Sequence, residues 1–404
     1  HTTFSLQGHS INLSAIQFGG GYNVYNNTSD NVSIVGSKFG DQLDGGSGND
    51  VIYGGDGDAI YGGAGIDTFV ISGNAKIADV GDGGNDVVKI NSGSVVDINI
   101  SGDWSASTDS FNNSDGTNIN ILAGSAIDLH NIGGNKGFTI DDGLVDNSTY
   151  YRTSIIGSSS SDVIYVHGAA NIVDITGGDG VDQFWCFSEQ TRVLDAGQGG
   201  SDFFYVGIGA TAEIDVSANW TAGVSSNNSG IAYVRANGHN VDLSNVSGGI
   251  TSISNGNISA SILATKNDDK IYSGSGNDTL NGGIGADIMS GGGGSDVYYV
   301  DNVGDQVIEA DANIATGGND TVFSSLTNYT LTNNVENGLI NVSTAANLTG
   351  NSLNNVLYAG AGNNVLDGGA GFDTVSYAYA TSAVNVSLDI TGAQATVGSG
   401  SDTF

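Results

Sequence analysis

The sequence predicts an all-β chain wound as one continuous solenoid, and three observations predict it. The string Gly-Gly-x-Gly-x-Asp-x-U-x, with U a large apolar residue, starts six times, at Gly45, Gly62, Gly177, Gly282, Gly291 and Gly368. Proline is absent from all 404 residues, where ordinary usage of about 5% would give about 20. Val, Ile, Leu, Phe and Tyr recur at strand spacing along the whole chain, and no segment carries the pattern of a long helix.

Each string reads as a turn followed by a strand. Its glycines let the backbone bend sharply with carbonyls pointing inward, and its Asp adds a carboxylate at one fixed place. Hard oxygen donors in that arrangement suit Ca²⁺. The apolar residue two positions after the Asp starts a short strand whose alternate side chains face a core. Every interior strand of such a stack pairs on both sides, so a proline would remove a ladder hydrogen bond.

Gly45-Gly46-Ser47-Gly48-Asn49-Asp50-Val51-Ile52-Tyr53 and the tandem from Gly282 to Tyr299 resemble the nonapeptides of the repeats-in-toxin (RTX) family. The resemblance implies a right-handed parallel β-roll with calcium-binding turns, each ion lying between turns n and n+2. It implies pairing of Asp41 with Asp58, Asp50 with Asp67, Asp269 with Asp287, and Asp278 with Asp296. The expected metal set is these eight with Asp86, Asp162, Asp182, Asp202, Asp320, Asp373 and Asp402. The carbonyls of Gly46, Gly48, Gly63, Gly65, Gly283, Gly285, Gly292 and Gly294 complete it. The turn at Gly54-Gly55-Asp56-Gly57-Asp58 is one residue short, and Gly157-Ser158-Ser159-Ser160-Ser161-Asp162 loses most of its glycine. Asn355 and Asn364 occupy the Asp position, so empty or weak sites are expected there.

A longer period is superimposed on the nonapeptides. Gly8-His9-Ser10-Ile11-Asn12-Leu13-Ser14-Ala15-Ile16 reappears as Gly124-Ser125-Ala126-Ile127-Asp128-Leu129-His130-Asn131-Ile132 and as Gly238-His239-Asn240-Val241-Asp242-Leu243-Ser244-Asn245-Val246, at offsets of 116 and 114. Lys76-Ile77-Ala78-Asp79-Val80-Gly81 likewise matches Arg192-Val193-Leu194-Asp195-Ala196-Gly197. The expected organisation is module 1 over 1–123 with nonapeptides near 36–70, and module 2 over 124–237 with them near 157–205. Module 3 covers 238–303 with nonapeptides near 264–299, and 304–404 carries a second RTX-associated repeat type. Calcium-poor strands such as Val95 to Ile100 and Ile231 to Val234 lie between the blocks. The start at His1 and the stop at Phe404 read as a piece of a longer protein, with an export signal expected beyond Phe404.

With 43 acidic and 9 basic residues the formal charge is −34, which a compact state holds only with counter-ions. Carboxylates stacked about 4.8 Å apart repel by roughly 3 kcal/mol at an effective dielectric of 20. Calcium is the expected cofactor, in several copies. The same charge argues against nucleic acid as a partner, and no apolar run is long enough to insert in a membrane as a helix. The lone Cys186, within Phe184-Trp185-Cys186-Phe187, reads as a packed apolar residue.

His-Glu-x-x-His, Gly-x-Ser-x-Gly and phosphate-loop motifs are all absent, so no enzyme activity is expected of these residues. The expected function is a secreted calcium-binding structural protein that builds a cell-surface layer or extracellular filament by calcium-dependent folding and self-assembly. The expected partner is therefore another copy of the chain, with cell-surface polysaccharide engaged through a region outside these residues. The expected location is extracellular, reached by bacterial type I secretion. The alternatives are an adhesin stalk and the non-catalytic folding region of an exported enzyme.

Overall fold

The computed structural model describes residues 2–122, 125–143, 152–167, 172–250, 252–311, 315–387 and 389–404, and among them strands are joined by turns, bends and irregular segments with no helix. The strands are short, mostly two to six residues, and all but one pair of those with assigned register run parallel. Consecutive strands alternate between facing sheets, so each pairs with the strand two or more places on. This is the parallel β-solenoid that the turn-strand pattern predicts. Contacts divide the chain into two compact units, His1–Ile214 with Ser229–Ile231, and Asp215–Asn228 with Ala232–Phe404.

In the first unit one sheet runs from Thr2–Leu6 through Tyr22–Asn26, Gln42–Asp44, Asp58–Tyr61 and Ala75–Val80 to Phe203–Val206. Its inward residues stack in register: Leu43 on Ile60 on Ile77 on Ile98 on Ile119 on Ile140 on Ile164 on Phe184 on Phe204. All are buried, and the facing sheet supplies Ile34, Ile52, Phe69 and Val88. After Leu43, a β-branched or aromatic side chain at each step fits a pleat whose other face points outward. Cys186 lies within this core, and burial pushes its thiol up to about 12, the state of a packing residue.

The second unit repeats the plan. Thr279–Asn281, Val297–Val300, Thr321–Ser324 and Asn337–Ile340 form one sheet, facing Ser252–Ser254, Lys270–Tyr272, Ile288–Ser290 and Gln306–Ile308. Leu280, Tyr298 and Val322 stack on one side, and Ile253, Ile271, Met289 and Val307 on the other. Near the end Gln394–Ala395 and Ser401–Asp402 pair antiparallel instead. Five residues between those strands cannot traverse a coil, so the chain reverses through Val397 and Gly400 at φ of 63° and 81°.

The long period is visible as one turn built three times. Leu13, Leu129 and Leu243 donate N–H to Val35, Ile156 and Leu263, and their carbonyls accept the N–H of Ile16, Ile132 and Val246 at 2.9 to 3.0 Å. Asn12, Asp128 and Asp242 cap the same turns through the N–H of Ser14, His130 and Ser244. An Asx side chain two residues before the N–H it accepts is the physical content of that sequence match.

Candidate metal centre

Every carboxylate of the expected metal set occupies one repeated position. Its Oδ1 accepts a backbone N–H from the preceding coil on the same side, as in Asp41 N–H to Asp58 at 2.8 Å and Asp50 N–H to Asp67 at 2.7 Å. Asp269 N–H meets Asp287 at 2.8 Å, and Asp278 N–H meets Asp296 at 2.7 Å. The four pairs implied by the resemblance are thus neighbours in the stack. Asp86 receives the N–H of Asp67, Asp162 that of Phe138, Asp182 that of Asp162, and Asp202 that of Asp182. Asp41, Asp50, Asp269 and Asp278 receive Tyr22, Val32, Ile250 and Ala260. Asp320, Asp373 and Asp402 receive Asp296, Asn355 and Asn364.

The second oxygen separates the turns into two kinds. In Asp50, Asp67, Asp182, Asp278, Asp287 and Asp296, Oδ2 is buried without a hydrogen-bond partner. Five of these six close full nonapeptides, and Asp278 closes a near match. Where Ser or Thr replaces the second glycine of the turn, the chain supplies donors itself. Ser37 N–H reaches Asp41 Oδ2 at 2.6 Å, Ser158 N–H reaches Asp162 Oδ2 at 2.7 Å, and Thr265 N–H and Oγ1 reach Asp269 Oδ2 at 2.8 and 2.7 Å. In the shortened turn Gly55 N–H does the same for Asp58 at 2.8 Å.

An unpartnered buried carboxylate oxygen is costly unless a cation completes it. Burial, first, pushes Asp67, Asp287 and Asp296 up to about 7 and Asp182 up to about 8, with the charges of neighbouring carboxylates in the stack adding to it. Backbone N–H donation from the preceding coil pulls the other way and is outweighed.

Backbone carbonyls of one coil crowd the turn glycines of the next. A Cβ on Gly63 would stand 1.7 Å from the Gly46 oxygen, and one on Gly65 would stand 2.1 Å from that of Gly48. On Gly283 it would meet the Thr265 oxygen at 1.8 Å, and on Gly285 that of Asn267 at 2.6 Å. On Gly292 and Gly294 it would meet the oxygens of Gly274 and Gly276 at 2.0 and 2.4 Å. Gly63 and Gly283 also hold φ of 87° and 88°, where a side chain is strained. The donor set is all oxygen, part carboxylate and part carbonyl, which fits Ca²⁺ and offers zinc neither nitrogen nor sulfur.

A family model described as RTX calcium-binding nonapeptide repeat (4 copies) matches residues 35–69, 264–298 and 345–375. The chain carries RTX repeats. No curated protein and no solved structure matches it. The RTX turns of the family model leave out 157–205, yet Asp162, Asp182 and Asp202 there form the same ladder as Asp50, Asp67 and Asp86.

Several participants escaped the sequence reading. Asp79 accepts the N–H of Gly62 and Gly63, both at 2.9 Å, and Asp195 accepts those of Gly177 and Gly178 at 2.9 and 2.8 Å. Both lie in the segment repeated from 76 to 192, which was the available signal. Asp305 caps Asp287 N–H at 3.1 Å, and Glu336 stands in for the ladder Asp by accepting Asp320 N–H at 2.8 Å. Asn355 behaves differently from the carboxylates it replaces. Its Nδ2 donates to the carbonyls of Val335 and Glu336 at 3.0 and 3.1 Å, and its Oδ1 accepts Asn351 N–H at 2.8 Å. The amide satisfies carbonyls of the neighbouring coil that a cation would otherwise face. Asn364 Oδ1, by contrast, is buried without a partner.

Proposed function

We propose that this chain is a passive extracellular scaffold whose folding, and through it self-assembly into a surface layer or filament, is switched on by calcium. The observation that carries the reading is the row of buried Oδ2 atoms without hydrogen-bond partners at Asp50, Asp67, Asp182, Asp278, Asp287 and Asp296. Those oxygens, with the carbonyls of Gly46, Gly48, Gly274 and Gly276, would hold the ions. Ca²⁺ bound there supplies positive charge between carboxylates that otherwise repel.

The compartment follows from affinity. Turns with neutral carbonyls and one or two carboxylates belong with extracellular calcium modules, which bind in roughly the 10⁻⁴ to 10⁻³ M range. Cytosolic calcium lies far below that, so the chain would stay unfolded for export and fold on arrival outside. RTX proteins are typically exported by the type I route, which requires an unfolded chain. Self-association is supported by the modular period and by a net charge of −34 that keeps chains apart until it is neutralised. The reading assigns these residues no catalytic role.

Electron microscopy of the purified protein, with and without millimolar calcium, tests it. Ordered sheets or filaments that dissolve in chelator are expected. Monodisperse particles at every calcium level would overturn the assembly reading, and a chain that keeps its β circular dichroism in excess chelator would overturn the calcium reading.

A further inference from the structure

We propose that Asp296, Glu309 and Asp320 form a calcium site of a different construction from the RTX turns, one that uses a glutamate in the place of a turn glycine. The proposal rests on the reading of this chain as a calcium protein. Strand Gln306–Ile308 pairs with Ile288–Ser290 so that Ile308 lies opposite Ser290, which brings Glu309 to the register position of Gly291. Gly291 opens a regular nonapeptide. A Cβ there would stand 2.1 Å from both Asp296 Oδ2 and the Tyr298 hydroxyl oxygen, so that coil has no room for a side chain at this place. One coil later the place holds a carboxylate.

Glu309 is 7% exposed, and its side chain turns into the coil interior. The Tyr298 hydroxyl donates to Oε1 and itself accepts Gly291 N–H at 2.7 Å, which fixes the hydroxyl hydrogen on the glutamate side. Glu309 Oε2 is buried with no hydrogen-bond partner, and so is Asp296 Oδ2. One ligand atom each from Asp296, Glu309 and Asp320 lie within 4.8 Å of one another, and all three residues are buried. Asp320 is held in place from both sides, its Oδ1 by Asp296 N–H and its own N–H by Glu336 Oε2, each at 2.8 Å. Two of the three carboxylates that meet here thus carry a buried oxygen with no hydrogen-bond partner.

Three carboxylates with oxygen donors alone select a hard divalent cation, and an ordered glutamate that can bind through two oxygens suits the larger Ca²⁺ over Mg²⁺. The extra charge also sets this site apart from the RTX turns, since affinity rises with the number of ligand charges. Its ion should be the last released on stepwise chelation.

Native mass spectrometry of the full chain folded in calcium reads the test. Glu309→Gln keeps the shape and the acceptor for Tyr298 while removing the charge, and it should bind one ion fewer than the unaltered chain. Tyr298→Phe keeps every carboxylate and should bind the unaltered number. An unchanged ion count in folded Glu309→Gln overturns the proposal while leaving the RTX sites standing. An unaltered chain that binds no ion sinks both readings. If Glu309→Gln does not fold, anomalous scattering from calcium-soaked crystals of the unaltered chain decides: a peak between Asp296, Glu309 and Asp320 supports the site, and peaks at the RTX turns without one here overturn it.

Discussion

Replacing Asp287 by Asn removes a charge and almost no volume, and its effect should change sign with calcium. The amide oxygen can still accept Asp269 N–H, the contact that Asp287 Oδ1 makes at 2.8 Å. What changes is Oδ2, buried and unpartnered in the native chain. With calcium present the substitution removes a ligand oxygen. A site with a dissociation constant near 100 μM adds about 1.4 kcal/mol at about 1 mM Ca²⁺, and D287N should lose most of that. In chelator the same change relieves the stack, because Asp269 and Asp305 flank Asp287 through direct ladder contacts. Charges spaced by one coil repel by roughly 3 kcal/mol each at an effective dielectric of 20, less when salt screens them. A gain of at least about 1 kcal/mol is expected. Urea unfolding in calcium and osmolyte-driven folding in chelator, both followed by far-UV circular dichroism, give the two signs. Destabilisation of similar size in both conditions would refute the reasoning, since a merely structural carboxylate gives that result.

Three further outcomes follow from the same geometry. N355D should lose two amide donations to Val335 and Glu336, costing about 1 kcal/mol each without calcium, and should add one ion to the count by native mass spectrometry; an unchanged count would show that the carbonyls there are not a cradle. G63A, with its Cβ 1.7 Å from a carbonyl and φ of 87°, should cost more than about 2 kcal/mol in denaturant midpoint, whereas G116A, whose Cβ meets nothing within 4 Å, should shift it by under about 0.5 kcal/mol. In chelator, acidification should restore β structure. Asp182 is raised to about 8, Asp67, Asp287, Asp296 and Asp320 to about 7, and Asp58, Asp86, Asp162 and Asp202 to about 6, all from 3.8. A group raised on folding favours the fold below its unfolded value and loses that contribution as pH climbs through its folded one, so the metal-free β signal should grow as pH falls from 8 toward 4. A signal that instead declines on that path would contradict the assignment.

The ladder was legible because its phase is rigid. Once Asp50 and Asp67 each sit five residues after a Gly-Gly pair, stacking them requires no information beyond the strand period. Asp79 and Asp195 were harder, since no glycine string introduces them and only the repeat from 76 to 192 marks them as equivalent. Glu309 was hidden by its turn. Eleven positions separate it from Asp320, against five from Gly291 to Asp296, so no fixed spacing announces that it occupies the opening position. The role of Asn355 was half legible: the missing charge showed in the sequence, while the donation of its amide to two carbonyls depends on a side-chain orientation that spacing does not encode.

These coils solve one problem in two ways. A turn that gathers carbonyls at a corner needs something positive beside them, and either a cation or an amide N–H₂ provides it. At Asn112 the amide donates to the carbonyls of Gly137 and Lys136 at 3.0 and 3.3 Å, while its oxygen accepts Ser114 N–H at 3.1 Å and the Thr117 hydroxyl at 3.2 Å. Asn26 donates to the Asp30 carbonyl at 3.1 Å, and Asn228 to that of Gly249 at 2.6 Å. An amide closure is present as soon as the chain exists. An ionic closure is conditional on the medium. Because the coils stack in series and each strand needs its neighbours to complete its hydrogen bonds, the conditional coils set the condition for those packed against them. Under the proposed calcium switch, the nonapeptide blocks need not be continuous to govern a whole solenoid, and stretches such as Val95–Ile100 and Gly116–Ile121, which lack the signature, would still depend on the coils that carry it through their pairing with neighbouring strands.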